Sequence, residues 1–289
     1  MGTSSSSRGP GSRTPVVPTW LENPKDGAQG QHQEGETPQD RPQQGDEAAD
    51  RPRPAILPPP AIDRFRNARG NFTRFARSGG SDPRALRRAL NQYVTSGTGG
   101  GRNATLRMGG ARTAAGRLVG VLRGFQRDGV AETLRRFNLQ NFVGRPPSEV
   151  FQALTEIICG DQTGGPVDEA IARDAWLETI VALPAMGIED LPLDANQMRE
   201  MFIEYVSHAI QIRIMQDIGS QALRVAPSLA AAENIQGQLL DYVRLAVRDG
   251  LVGDMSGVLG VSDERVRAVV DRAYEDAFDL LQARGEEEG

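Results

Sequence analysis

Asp263-Glu264-Arg265-Val266-Arg267-Ala268-Val269-Val270-Asp271-Arg272-Ala273-Tyr274-Glu275-Asp276-Ala277-Phe278-Asp279-Leu280-Leu281-Gln282-Ala283-Arg284 is the stretch whose reading decides the fold. Val266, Val269, Val270, Ala273, Tyr274, Ala277, Leu280 and Leu281 recur at i, i+3, i+4 and i+7, the spacing of an amphipathic helix. Ser262 caps it, and Val261 is placed to staple onto Val266. Working back along the chain, the pattern repeats. Helices are expected over about Leu229–Arg248 and from an Asp194 cap to about Ile218. In the second of these, Gln197 stands at the third helical position and Leu193 opposes Met198, a capping box with a staple. Further helices are expected over about 167–183, from a Ser148 cap through Ile158, over 130–137 and 111–126, and from Asp82-Pro83 to about Val94. Thr98 to Gly101 reads as a break. No stretch alternates as a strand does, so the fold class is all-α, with 146–284 its best-defined part and no internal repeat.

Charge divides the 289 residues into three parts. Residues 1–60 sum to −2, residues 61–145 to +13 and residues 146–289 to −16. Such a split implies a polyanionic partner for the basic part or docking of the basic part on the acidic one. Arginines 64, 66, 69, 74, 77, 84, 87 and 88 are interleaved with Phe65, Phe72 and Phe75. That composition fits a nucleic-acid-binding helical module, with arginine on phosphate and phenylalanine under bases. The favoured reading places the phenylalanines in the core and the arginines against the acidic half. Lys25 is the only lysine, a bias that codon usage also explains.

Catalytic and metal chemistry find little support. Cys159 is the only cysteine, so no intrachain disulfide and no cysteine-based metal site is expected. His32 and His208 stand far apart, and nothing supplies His208 with a nucleophile and an orienting partner. Asp161, Asp168, Glu169 and Asp174 stand close enough to suggest a metal site, but Asp168 and Glu169 read as first-turn acids opposing the helix dipole, so a metal site is not favoured. Gly97-Thr98-Gly99-Gly100-Gly101-Arg102 lacks the Lys-Ser/Thr of a nucleotide P-loop and reads as a hinge. Leu259 to Arg267 resembles the turn of a helix-turn-helix, but Asp271, Glu275, Asp276 and Asp279 would repel phosphate, so a capped core helix is preferred. No apolar stretch approaches the ~20 residues that span a bilayer, and no signal-peptide core is visible. A cytoplasmic protein without cofactor, metal or membrane association is expected.

Residues 1–60 are rich in Gly, Pro, Ser, Gln and acid and are expected to form a disordered arm, because they bury too little to offset ordering entropy. The chain opens Met1-Gly2-Thr3-Ser4-Ser5-Ser6-Ser7-Arg8-Gly9-Pro10-Gly11-Ser12. Met before Gly is normally trimmed, which leaves a free Gly2 amine at the tip of an arm suited to capture by another protein. Pro15-Val16-Val17-Pro18-Thr19-Trp20-Leu21 is an extended apolar patch that reads equally as a docking motif or as a segment packed on its own domain. The opening also fits the N-myristoylation pattern, although one such chain holds a membrane only marginally.

This opening resembles the start of the QatB family, components of bacterial Qat anti-phage defence systems. Phe142-Val143-Gly144-Arg145, Glu149 to Cys159 and Val167 to Trp176 carry the same resemblance. It implies partners rather than an activity: a QueC-like enzyme (QatC type), and beside it the system's ATPase and TatD-like nuclease. It further implies that the QueC-like enzyme modifies the N-terminal glycine with a deazaguanine group, which makes Gly2 the acceptor. Thr3, Ser4, Ser5, Ser6, Gly9, Pro10 and Gly11 would then thread into that enzyme, and Pro15, Pro18 and Trp20 complete the stretch that it reads. On this reading the chain is a non-enzymatic subunit, both substrate and scaffold.

Overall fold

The computed structural model describes residues 64–160, 165–251 and 262–286, all within one compact unit, 58–289. The described residues are helical and contain no strand. In order they form α1 (Arg66–Arg77), α2 (Pro83–Gln92), α3 (Gly101–Leu106), α4 (Gly109–Arg127), α5 (Val130–Arg136), α6 (Pro147–Ala153), α7 (Thr155–Cys159), α8 (Pro166–Val181), α9 (Ala195–Ile214), α10 (Leu229–Gly250) and α11 (Asp263–Glu286). Wider π turns follow α2 at Tyr93–Thr98 and α9 at Met215–Gly219.

The caps set where these helices start. Asp82 accepts from the Ala85 amide at 3.0 Å, with Pro83 in the first turn where its missing N–H costs nothing. Asp194 accepts from the Gln197 amide at 2.8 Å while Gln197 accepts from the Asp194 amide at 3.0 Å, the reciprocal box expected of that pair. Leu193 and Met198 are both buried, as a staple requires. At α6 the expected cap is displaced: Pro146 precedes the first turn, Pro147 lies in it, and Ser148 caps nothing. Proline's fixed φ already has helical geometry, which removes the need for a side-chain cap.

Helix α9 is the centre. Met201 through Ile210 are all buried, so this stretch of the helix packs among α4, α8 and α10. Helix α11 lies across α2, α3, α4 and α10 and buries Val266, Val270, Ala273, Tyr274, Ala277 and Leu281. Helices from 64–145 and from 146–286 therefore share one core. An aromatic chain runs through it from Phe125 on α4 to Phe151, Trp176 and Tyr205, with ring centroids 6.1, 5.8 and 6.4 Å apart. The Trp176 indole N–H donates to the Thr155 hydroxyl at 3.2 Å, which satisfies its one polar atom.

Helix α1 has no counterpart in the sequence reading. Its signal is present, because Ala68, Phe72, Phe75 and Ala76 lie at i, i+4, i+7 and i+8 and all four are buried. Gly70 at its middle and the surrounding arginines obscure that spacing. With Phe65 also buried, none of the three phenylalanines in this stretch is open to a base.

Candidate functional site

The acceptor and reading residues, Gly2, Thr3, Ser4, Ser5, Ser6, Gly9, Pro10, Gly11, Pro15, Pro18 and Trp20, lie outside the described residues. What the structure describes is the domain that follows them in the chain, whose first described residues pack around Phe65. Phe65 stacks on Tyr93 at 5.2 Å between centroids, and the guanidinium groups of Arg64, Arg69 and Arg107 lie over the Phe65 ring at 5.0, 5.8 and 5.5 Å. Asp217 balances this cluster. Its carboxylate accepts from the Tyr93 hydroxyl at 2.9 Å and from Arg107 at 3.1 Å, and its backbone carbonyl accepts from Arg69 at 3.1 Å. Burial and then the neighbouring Arg107 lower the pKa of Arg64.

A groove of 730 Å³ opens between α8, α9 and α10. Each helix presents one face to it: Asp174, Leu177 and Glu178; then His208, Gln211, Ile212 and Met215; then Glu233, Gln236, Gly237 and Leu240. The first is an i, i+3, i+4 set and the other two are i, i+3, i+4, i+7 sets, with Met215 opening the π turn after α9, so helical periodicity aligns each row. Gly237 widens the cleft, because a Cβ there would meet nothing within 4 Å. The walls are apolar through Leu177, Ile212, Met215, Leu223 and Leu240, the rim is acidic, and no lysine or arginine lines it.

One wall rests on a triad of buried His208 and Glu204 with half-buried Arg244. His208 Nε2 lies 3.0 Å from Glu204 Oε1, and Arg244 donates to the same carboxylate at 2.6 and 2.8 Å. Burial pushes the Glu204 carboxyl upward, but the hydrogen bonds from His208 and Arg244 outweigh it and hold the pKa at about 2, against an ordinary 4.5. A depressed carboxylate stabilises the fold above its unfolded pKa and loses that contribution as pH falls toward the folded value. Between pH 6 and pH 3 the wild type is expected to lose about 2 kcal/mol more than Glu204→Gln does. Urea melts of both proteins at the two pH values check this; equal losses contradict it.

The other candidate chemistry resolves into structure. The sequence reading gave His208 no partner, yet the Glu204–His208 i, i+4 pair was the available signal; Arg244 comes from a separate helix. Cys159 is buried and donates to the Ala172 carbonyl at 3.5 Å; burial pushes its thiol up to about 12, far from a reactive thiolate. Asp168 accepts from Arg213 at 3.1 Å and Glu169 pairs with Arg173 at 3.7 Å. Among the described residues no group of three or more His, Cys, Asp or Glu side chains could hold a metal ion. Gly101 packs against Asp279 and the Glu275 carbonyl of α11, with no room there for a Cβ. Asp263, at the start of α11, pairs with Arg123 at 2.8 Å, and Asp271, two turns further on, pairs with Arg112 at 2.5 Å. These acids join α11 to α4 as a core helix does.

The fold and groove thus define an all-α protein organised around a central helix that is buried over Met201–Ile210, with an open groove beside it. No described helix is long and apolar enough to cross a membrane. The family model for the Qat anti-phage system associated protein QatB matches residues 99–281, and the chain belongs to that family. No curated protein and no solved structure matches it.

Proposed function

We propose that this chain is a non-enzymatic subunit of a Qat anti-phage system that binds a QueC-like partner enzyme and presents Gly2 to it for deazaguanine-type modification. Membership of the QatB family is the observation that carries this reading, because it brings the chain into a system with partners. The small-residue opening around Gly2 supports the acceptor assignment: a primary amine flanked by Thr3 and Ser4 is unhindered. In the reaction the amine lone pair forms a C–N bond to an electrophilic carbon of the donor, the amine loses a proton, and the donor loses its leaving group. The α-amine ionises near pH ~8, so its reactive free base is available at neutral pH. Residues 1–60 act as the presenting arm, 61–145 as an Arg-rich helical segment and 146–289 as the acidic docking domain, in the cytoplasm. The system's ATPase and TatD-like nuclease are further partners on this reading.

The test is intact-mass measurement of the protein co-expressed with the QueC-like enzyme. The expected result is one added deazaguanine-type mass at the N-terminus; an unmodified N-terminus refutes the acceptor role.

The groove between α8 and α10 is the docking surface in this reading. Gly237→Leu fills it from an open position and improves helix propensity, so the fold should hold. The variant is expected to bind the QueC-like enzyme at least about tenfold more weakly, which corresponds to about 1.4 kcal/mol, by biolayer interferometry. Unchanged binding places the dock elsewhere.

A further inference from the structure

The basic segment divides into two groups of arginines. Arg107, Arg112 and Arg123 pair with Asp217, Asp271 and Asp263 and so join the basic part to the acidic part. The hairpin α1–α2 behaves differently. Arg66, Arg74, Arg77 and Arg88 are exposed, and among the described residues they form no ion pair. Neither helix contains an acidic residue; Asp82, between them, is occupied as the α2 cap.

These arginines form one surface. On α1, positions 66, 70, 74 and 77 fall on a single helical face. Asn71 donates to Gln92 of α2 at 2.8 Å, and in an antiparallel hairpin that register brings Arg88, one turn earlier on α2, level with Arg74. Beside Arg74 lies a shallow recess of 420 Å³ lined by Arg66, Asn67, Gly70, Asn71, Arg74 and Gln92. A Cβ at Gly70 would meet nothing within 4 Å.

From this surface we infer that the α1–α2 hairpin binds duplex nucleic acid through its phosphates, independently of sequence and of the fate of Gly2. Three observations favour that partner. Phe65, Phe72 and Phe75 are buried, so no aromatic platform is offered to unstacked bases, as single-strand binding uses. No large apolar side chain on α1 or α2 is exposed, so the patch lacks the apolar centre of a protein interface and the wedge of a membrane-bound helix. Arginine, asparagine and glutamine are the side chains that hydrogen-bond phosphate and sugar. The hairpin precedes the span matched by the family model.

Four phosphate contacts give a slope of log affinity on log salt of about −3.6, a loss of roughly 10² in affinity between 50 and 200 mM salt. The test uses the full chain and a fluorescent 20-base-pair duplex, read by anisotropy at both salts. Two variants accompany it: the combined Arg66→Gln, Arg74→Gln, Arg77→Gln, Arg88→Gln change, and Gly70→Glu, which sets a carboxylate in the open centre of the patch. Binding at 50 mM salt is expected, weakened at least tenfold in both variants, with a flatter salt slope in the first. No binding at 50 mM, or wild-type affinity in either variant, overturns the inference. Tighter binding to the single strand, to anionic phosphatidylserine vesicles or to polyglutamate overturns the choice of partner.

Discussion

Gly2→Pro is expected to abolish the added mass on co-expression with the QueC-like enzyme, the largest effect that any single substitution in this chain should produce. Proline after Met still permits trimming, so the variant keeps a free terminus. Its nitrogen is a secondary amine in a ring, with less room for a donor to approach and a φ locked near −65°. The loss is therefore specific to the reacting atom. Gly2→Ala keeps a primary amine and is expected to retain part of the modification, which separates chemistry from recognition. Full modification of the Gly2→Pro protein moves the acceptor off the N-terminus and removes the reason for the arm's small residues. The helical domain, which follows residue 63 in the sequence, should melt identically in all three proteins.

Trp176→Ala carries the largest expected effect on stability. Trp176 is fully buried, meets Phe151 edge-on at 5.8 Å and Tyr205 at 6.4 Å, and spends its only polar atom on Thr155. Truncation leaves a cavity at the meeting point of α6, α8 and α9 and costs about 3–5 kcal/mol. For a domain of this size that lowers Tm by roughly 6–20 °C. Trp176→Phe restores the ring contact without the indole hydrogen bond and should recover much of the loss. Differential scanning calorimetry of the three proteins decides the matter; a Tm within a degree of wild type for the alanine variant would show that Trp176 is not part of the central packing.

The contrast between these two sites shows what can be read from residue order. Capping and amphipathic spacing are local, set by atoms within about one helical turn, so the Asp194–Gln197 box and the periodic face of α11 could be read directly. Helix α1 carries the same signal, and its phenylalanines read as core, but Gly70 and the surrounding arginines obscure the helical spacing itself. Ser148 failed as a cap because Pro147 had already fixed the first turn. The groove was out of reach for a different reason. Its three rows are each ordinary helical faces, and only their convergence makes a cleft.

The sequence by itself determined the helical class, most element starts, the charge division, the single cysteine and the chemical identity of the opening at Gly2. Tertiary structure decided which charges are spent. Arg107, Arg112 and Arg123 meet acids more than a hundred residues away, while Arg66, Arg74, Arg77 and Arg88, from the same basic stretch, meet none among the described residues. Glu204 likewise gains Arg244 only because α9 and α10 pack side by side. Charge pairing depends on distances across the fold, which helical periodicity does not encode, so an arginine-rich stretch becomes mortar or binding surface only when the chain has closed around α9.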